Sequence, residues 1–225
     1  MSEARSFLDL PRVERREALR FGVPNQGRLR AEVREALDWK GWGSDSRSLT
    51  FRADGILVVL ARSTDLPRLV ASGALDACVS AHDYVVESGT ASQLRMVKDL
   101  GIQRTKLCVV RRDDDEELED VTRSLTVVSQ YPNIASDWIR RHPLRRRMTL
   151  VPIDGAAEVF VSLGMADLAI DAVMTGLSLE ANGMRIAECL FESSGRIYRS
   201  RRIAKDARAL QLLTGVTARM DSALR

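Results

Sequence analysis

The chain of 225 residues holds three cysteines and two histidines, and neither set is spaced for chemistry. Cys78, Cys108 and Cys189 lie far apart, with no Cys-x-x-Cys and no histidine at ligand spacing. The sequence therefore predicts reduced core thiols and no protein-bound metal. His82 and His142 have no nucleophile or carboxylate partner at useful spacing, so Ser or Cys nucleophilic catalysis finds no support and both are expected at a surface or a cleft edge. Long apolar runs are missing as well. No segment approaches the roughly 20 residues of a membrane span, and the polar N-terminus lacks the apolar stretch of a secretory signal. A cytoplasmic protein with no membrane partner is expected. The net charge of +3 is too small to argue for nucleic acid. Arg140, Arg141, Arg145, Arg146 and Arg147, and the acidic run from Asp113 to Glu117, read as solvated faces.

What is present is the composition of a globular protein, 45% hydrophobic and 29% charged, in a chain long enough for one large domain or two small ones. After an N-terminal extension at 1–18, strand and helix signals alternate. Strands are expected at Leu19–Pro24, Ile56–Ala61 and Ala77–Ser80, with helices at Arg28–Leu37 and Leu66–Ser72 and a turn or helix at Asp83–Glu87. The second half repeats the rhythm with Lys106–Arg111, Leu125–Ser129, Ile134–Arg141 and Met148–Ile153, then the helix Glu158–Leu163 and the strand Leu168–Ile170. Short alternating units predict an α/β fold with mostly parallel sheets. Gly73-Ala-Leu-Asp76-Ala-Cys-Val79 is echoed by Gly164-Met-Ala-Asp167-Leu-Ala-Ile170, which points to two related lobes. Ligands of open α/β sheets bind beyond the carboxyl ends of strands, so the loops Ser80–Glu87 and Asp171–Ser178 are expected to face a shared cleft.

The segment from Asp171 to Leu179 carries the most chemistry. A buried strand ends in a carboxylate, and Thr175-Gly176-Leu177-Ser178 opens a helix whose first amides have no intrahelical partners, which suits a phosphate. Asp171 is placed to accept hydrogen bonds from sugar hydroxyls while the loop holds a 5-phosphate. The same pattern also fits an ordinary strand-turn-helix junction with a Thr or Ser cap.

Several segments in register resemble the catalytic subunit of ATP phosphoribosyltransferase, the first enzyme of histidine biosynthesis, over roughly residues 18–215. They are Leu19-Arg-Phe-Gly-Val-Pro-Asn-Gln-Gly-Arg-Leu29, Ala61-Arg-Ser-Thr-Asp-Leu-Pro67, Gly73 to Glu87, Gln130-Tyr-Pro-Asn133, Gly155-Ala-Ala-Glu158, Gly164-Met-Ala-Asp167 and Asp171 to Met184. The resemblance implies a two-lobed fold like the type II periplasmic binding proteins. Lobe I would comprise 19–104 and 186–225, and lobe II 105–185. It implies transfer of phosphoribosyl from 5-phosphoribosyl diphosphate to N1 of ATP, with inversion at the anomeric carbon, release of diphosphate, and magnesium bound through the diphosphate. Arg28 and Arg62 match basic residues that meet the diphosphate, a task suited to the forked, permanently charged guanidinium. Asp171, Thr175, Gly176, Leu177 and Ser178 match the ribose 5-phosphate loop. Gln26, Gly27, Asp83, Glu87, Gln130 and Glu158 match other positions lining the site, the three acids serving either the fold or the ligand. The chain stops where the short form of the family stops, which implies a homodimer with a separate regulatory subunit resembling histidyl-tRNA synthetase.

Departures from the family pattern leave alternatives open. Gln26 and Gln130 stand where the family has lysines, Ser80-Ala81 where it has Thr-Gly, and Ala156-Ala157 where it has Ser-Val. The donor loop and both arginines remain while two cations are lost, so the acceptor could be ATP or another nitrogen heterocycle. A non-catalytic ligand-binding or regulatory paralogue is the third reading.

Overall fold

The computed structural model describes residues 18–40, 42, 48–118 and 120–224; the N-terminal extension lies outside them except for Ala18. The chain divides into two compact units, Met1–Gln103 with Ser194–Arg225, and Arg104–Ser193. The return to the first unit thus falls at Ser193 rather than near residue 185. It lies inside one uninterrupted strand, Met184–Ser200, so no turn residue marks it.

Unit 1 is built on three parallel strands, β1 (Leu19–Pro24), β3 (Ile56–Ala61) and β4 (Ala77–Ala81), in the order β3-β1-β4. β1 is buried at every residue, as a strand covered on both faces must be, and its apolar run follows from that. β2 (Thr50–Ala53) pairs antiparallel with β3 through a turn at Asp54-Gly55, where both residues have positive φ. This Asp-Gly hairpin is absent from the sequence reading, although the dipeptide favours such a turn. β4 is flanked on its other side by the last part of β9 (Met184–Ser200), antiparallel. The helices are α1 (Gly27–Leu37), α2 (Leu66–Ser72), α3 (His82–Glu87) and α7 (Ala207–Ala223). α7 starts where the Asp206 carboxylate accepts from the Ala209 amide at 2.9 Å, an N-cap, and buries Leu213, Val216 and Met220 in one core with Val33 and Leu37 of α1.

Unit 2 repeats the plan. β6 (Leu125–Ser129) lies between β7 (Met148–Pro152) and β8 (Leu168–Val173), both parallel to it. The second part of β5 (Leu94–Arg112) runs antiparallel to β8. α4 (Pro132–Arg141), α5 (Ala157–Ser162) and α6 (Leu177–Ala181) complete it. Each unit therefore has a parallel centre, flanked by antiparallel strands on both sides in unit 1, β2 and β9, and by β5 beside β8 in unit 2.

The sequence echo has a physical basis. Gly73 and Gly164 follow α2 and α5 with φ of 88° and 69°, turning the chain back toward the sheet. Asp76 and Asp167 then fasten the start of β4 and β8 to the neighbouring strand. The Asp76 amide donates to the Arg20 carbonyl at 2.9 Å while its carboxylate accepts from the Arg20 amide at 2.9 Å. The Asp167 amide donates to the Thr126 carbonyl at 3.0 Å and its carboxylate accepts from the Thr126 amide at 2.7 Å.

Candidate functional site

In unit 1 the parallel strands β1, β3 and β4 end side by side, so the loops that follow them are neighbours. Pro24 of β1 is in register with Ala61 of β3, and the Asn25 amide donates to the Ala61 carbonyl at 2.9 Å, tying the loop of Gln26, Gly27 and Arg28 to that of Arg62. Gln26, Gly27, Arg28 and Arg62 are all exposed. Gly27 has φ of 82°, and a side chain built on it would meet nothing within 4 Å, so this face of the backbone is open to a ligand. The Arg62 carbonyl accepts from the Asp65 and Leu66 amides at 2.9 and 3.2 Å, which closes the turn into α2 and fixes the backbone from which the guanidinium extends. Asp83, at the start of α3, is buried and accepts from the Tyr84 amide at 2.8 Å. Glu87 closes the same short helix, half-buried.

In unit 2, Asp171 sits near the carboxyl end of β8 and is 8% exposed. Its Oδ1 accepts from Gln130 Nε2 at 2.9 Å and from the Ala172 amide at 2.7 Å, and the Ala157 amide bonds the same carboxylate. Gln130 is held for this. Ser129 Oγ donates to the Ile170 carbonyl at 2.7 Å and accepts from the Tyr131 amide at 2.9 Å, so the end of β6 is stitched to β8 on either side of Gln130. Ala157 is aimed by the turn before α5, where Ala156 takes a left-handed conformation with φ of 53°. Burial raises the Asp171 carboxyl above its ordinary value; the three donors pull it back and Glu158 pushes it further up. A partly shielded carboxylate is what recognition of vicinal hydroxyls requires.

The loop after β8 exposes Thr175, Leu177 and Ser178. Gly176 precedes α6 with φ of 79°, and nothing lies within 4 Å of where its Cβ would be. Ser178 Oγ donates to Glu158 Oε2 at 3.0 Å, fastening the loop to α5. Glu158 therefore has a fold-holding contact whether or not it also meets ligand.

Comparison with known proteins decides what this arrangement belongs to. The family model for ATP phosphoribosyltransferase (HisG) matches residues 62–221. The ATP phosphoribosyltransferase of Sulfurisphaera tokodaii is 31% identical over 196 residues, covering 85% of this chain and 68% of that protein. The chain belongs to the ATP phosphoribosyltransferase family. The enzyme of the same name from Gemmatimonas aurantiaca is 36% identical over 188 residues, with 80% of this chain and 63% of that protein covered. Among solved structures, an ATP phosphoribosyl transferase (HisG:HisZ) complex from Thermotoga maritima matches with a TM-score of 0.77 at 17% identity, covering 92% of this chain and 97% of that one. Tv2483 bound to L-arginine matches at a TM-score of 0.53 and 13% identity, over 92% and, on its side, 86%. Both likenesses concern the fold, which is the two-lobed α/β type of the periplasmic binding proteins.

Within this family member the structure gathers the expected residues into two sets: Gln26, Gly27, Arg28 and Arg62 at the strand ends of unit 1, with Asp83 and Glu87 in the helix after β4; and Gln130, Glu158, Asp171 and the Thr175–Ser178 loop in unit 2. His82 is half-buried, with Nδ1 2.8 Å from the Tyr198 hydroxyl, and burial lowers its pKa. Its partner lies on β9, too distant in sequence to be foreseen. Cys189 is exposed rather than in the core, and its sulfur lies 3.2 Å from that of Cys108. Among the described residues, no group of three His, Cys, Asp or Glu converges to hold a metal ion, and no helix is long and apolar enough to cross a membrane.

Proposed function

We propose that this chain carries out the reaction of its family, moving the 5-phosphoribosyl group of phosphoribosyl diphosphate to N1 of ATP and releasing diphosphate. The observation that carries the reading is the buried Asp171 near the end of β8, followed by a loop whose Gly176 backbone is open, in a chain of this family. Asp171 accepts hydrogen bonds from the ribose hydroxyls, and the amides of the Thr175–Ser178 loop take the 5-phosphate. Ser178 turns its hydroxyl from Glu158 to the phosphate when donor binds. Arg28 and Arg62 meet the diphosphate, where negative charge grows as the glycosidic bond to the ribose breaks.

A magnesium ion fits this donor set through diphosphate oxygens rather than a protein cage, as is usual for magnesium bound with phosphates, and it would supply further neutralisation of the leaving group. Gln130 is engaged by Asp171, so the loss of a lysine there bears on the donor carboxylate rather than on the acceptor. This favours ATP over the altered-acceptor reading. A cytoplasmic homodimer is part of the proposal, and the HisG:HisZ complex of Thermotoga maritima supports adding a separate partner subunit with a regulatory role.

The test is a diphosphate-release assay with ATP and a panel of other heterocycles, with and without a histidyl-tRNA-synthetase-like partner, followed by the product mass. ATP gaining one phosphoribosyl group is the expected result. Diphosphate release only with another heterocycle would replace ATP as the acceptor, and none with any acceptor would favour a non-catalytic paralogue.

A further inference from the structure

Cys108 on β5 and Cys189 on β9 are separated by 81 positions, yet their sulfurs lie 3.2 Å apart in unit 2. Cys108 is buried and Cys189 exposed. Burial, with the hydrogen bond to Cys189, pushes the Cys108 thiol up to about 12, so this thiol resists direct attack by an oxidant. Cys189 is reachable from solvent, and Cys108 waits behind it. The third cysteine, Cys78, is buried in the core of unit 1. An exposed thiol backed by a shielded one is the arrangement of a reacting and a resolving cysteine.

We propose that Cys108 and Cys189 form a reversible disulfide under a peroxide-class oxidant, and that its closure weakens the neighbouring donor site. The Cys189 sulfur attacks one peroxide oxygen; the S–O bond forms, the O–O bond breaks, and the departing hydroxide leaves as water with the Cys189 proton. The Cys108 sulfur then attacks the Cys189 sulfur of the sulfenic acid. The S–S bond forms, the S–O bond breaks, and the second water leaves with the Cys108 proton. The two thiols lose two electrons and the peroxide gains them.

The coupling follows from register. Cys108 is the direct partner of Asp171 in the β5–β8 pairing, so their side chains stand on the same face of the sheet. Cys108 also belongs to the core cluster that contains Ala157, whose amide bonds the Asp171 carboxylate. Closing the bond brings the sulfurs about 1 Å nearer, to the S–S separation of roughly 2.05 Å. That displaces a buried side chain beside the carboxylate proposed to hold the ribose, in a close-packed core where small shifts are transmitted. The coupling rests on the donor-site reading; the bond itself does not.

The purified chain is treated with stoichiometric hydrogen peroxide, digested without reductant and mapped by mass spectrometry. The expected result is a Cys108–Cys189 linked peptide two hydrogens lighter than the separate pair, reversed by dithiothreitol and absent from Cys189→Ser and Cys108→Ser. Oxygen adducts on Cys189 without the link, or no reaction, would overturn the pair. Phosphoribosyl diphosphate is then titrated into oxidised wild type, reduced wild type and peroxide-treated Cys189→Ser. Affinity several-fold weaker in the cross-linked form alone is expected. Equal affinity in all three would overturn the coupling while the bond stands. Failure of every form to bind donor would refute the donor site and the coupling with it, leaving the thiol result untouched.

Discussion

In unit 1 the Asp76 carboxylate is gripped by Arg20, with Nε at 3.1 Å and a terminal nitrogen at 2.9 Å, inside the core. In unit 2 the equivalent Asp167 meets Arg123, whose side chain is 54% exposed. Both carboxylates also accept from the amide of the second residue of the adjacent strand, so the way each sheet is entered has been kept while the surroundings have changed. The opposite strand ends differ more. Unit 1 puts exposed cations, Arg28 and Arg62, beyond β1 and β3; unit 2 puts a buried carboxylate near the end of β8. The amino ends of the strands thus hold the fold, and the carboxyl ends carry the residues proposed for the chemistry, where open α/β sheets bind their ligands.

The strand-start contrast predicts the largest effect. Asp76→Ala strands Arg20 without its partner in the core and should cost about 3–5 kcal/mol of unfolding free energy. Asp167→Ala leaves Arg123 in water and loses mainly the Thr126 amide bond, about 1–2 kcal/mol. Urea unfolding of the two variants measures the difference, and equal losses would break the comparison. At the strand ends, Arg62→Ala should lower the rate of diphosphate departure roughly a hundredfold, the scale of one electrostatic donor to a developing charge. Single-turnover kinetics at saturating donor checks it; a rise in the acceptor KM alone would move Arg62 off the leaving group.

A smaller effect sets function against stability at Asp171. Its folded pKa is raised chiefly by burial, so its stabilising contribution is full below the ordinary carboxyl range and lost as pH rises through the folded value. At neutral pH the wild type therefore carries a buried charge that Asp171→Asn removes. The variant should melt at a higher temperature at neutral pH, with the advantage shrinking as the solution is acidified, which a series of thermal melts reads directly. Smallest is Gln130→Lys. A cation in hydrogen-bond reach of Asp171 should lower that carboxyl's pKa and alter the donor KM by about fivefold, on the scale of a 1 kcal/mol contact. The ATP KM should stay unchanged, and steady-state kinetics with each substrate varied distinguishes the two.

The central strands were legible because parallel strands covered on both faces read as short apolar runs, and Leu19–Pro24, Ile56–Ala61 and Leu125–Ser129 begin and end as read. Of β5 only Lys106–Arg111 was read, and β9 escaped, since their mixture of buried and exposed residues gives neither a clean alternation nor an apolar run over their length. α7 escaped too, lying largely beyond the alternating pattern. In the candidate site, the Gly176 loop was read from its turn signal and the Gly27 loop from the family resemblance, and both glycines have positive φ with open space beside them. Pairings across the sheet were not: Gln130 meets Asp171 from 41 residues away and His82 meets Tyr198 from 116. Nothing in local sequence distinguishes a glutamine facing a phosphate from one donating to a carboxylate.

Calorimetric titration of phosphoribosyl diphosphate into wild type and Asp171→Asn tests the central claim, that unit 2 holds the donor's ribose through a buried carboxylate. The account predicts affinity about 10- to 100-fold weaker in the variant, the range of a charged hydrogen-bond acceptor lost from a ligand contact, in a protein that is folded and at least as stable. Wild-type affinity in a folded Asp171→Asn protein would contradict it.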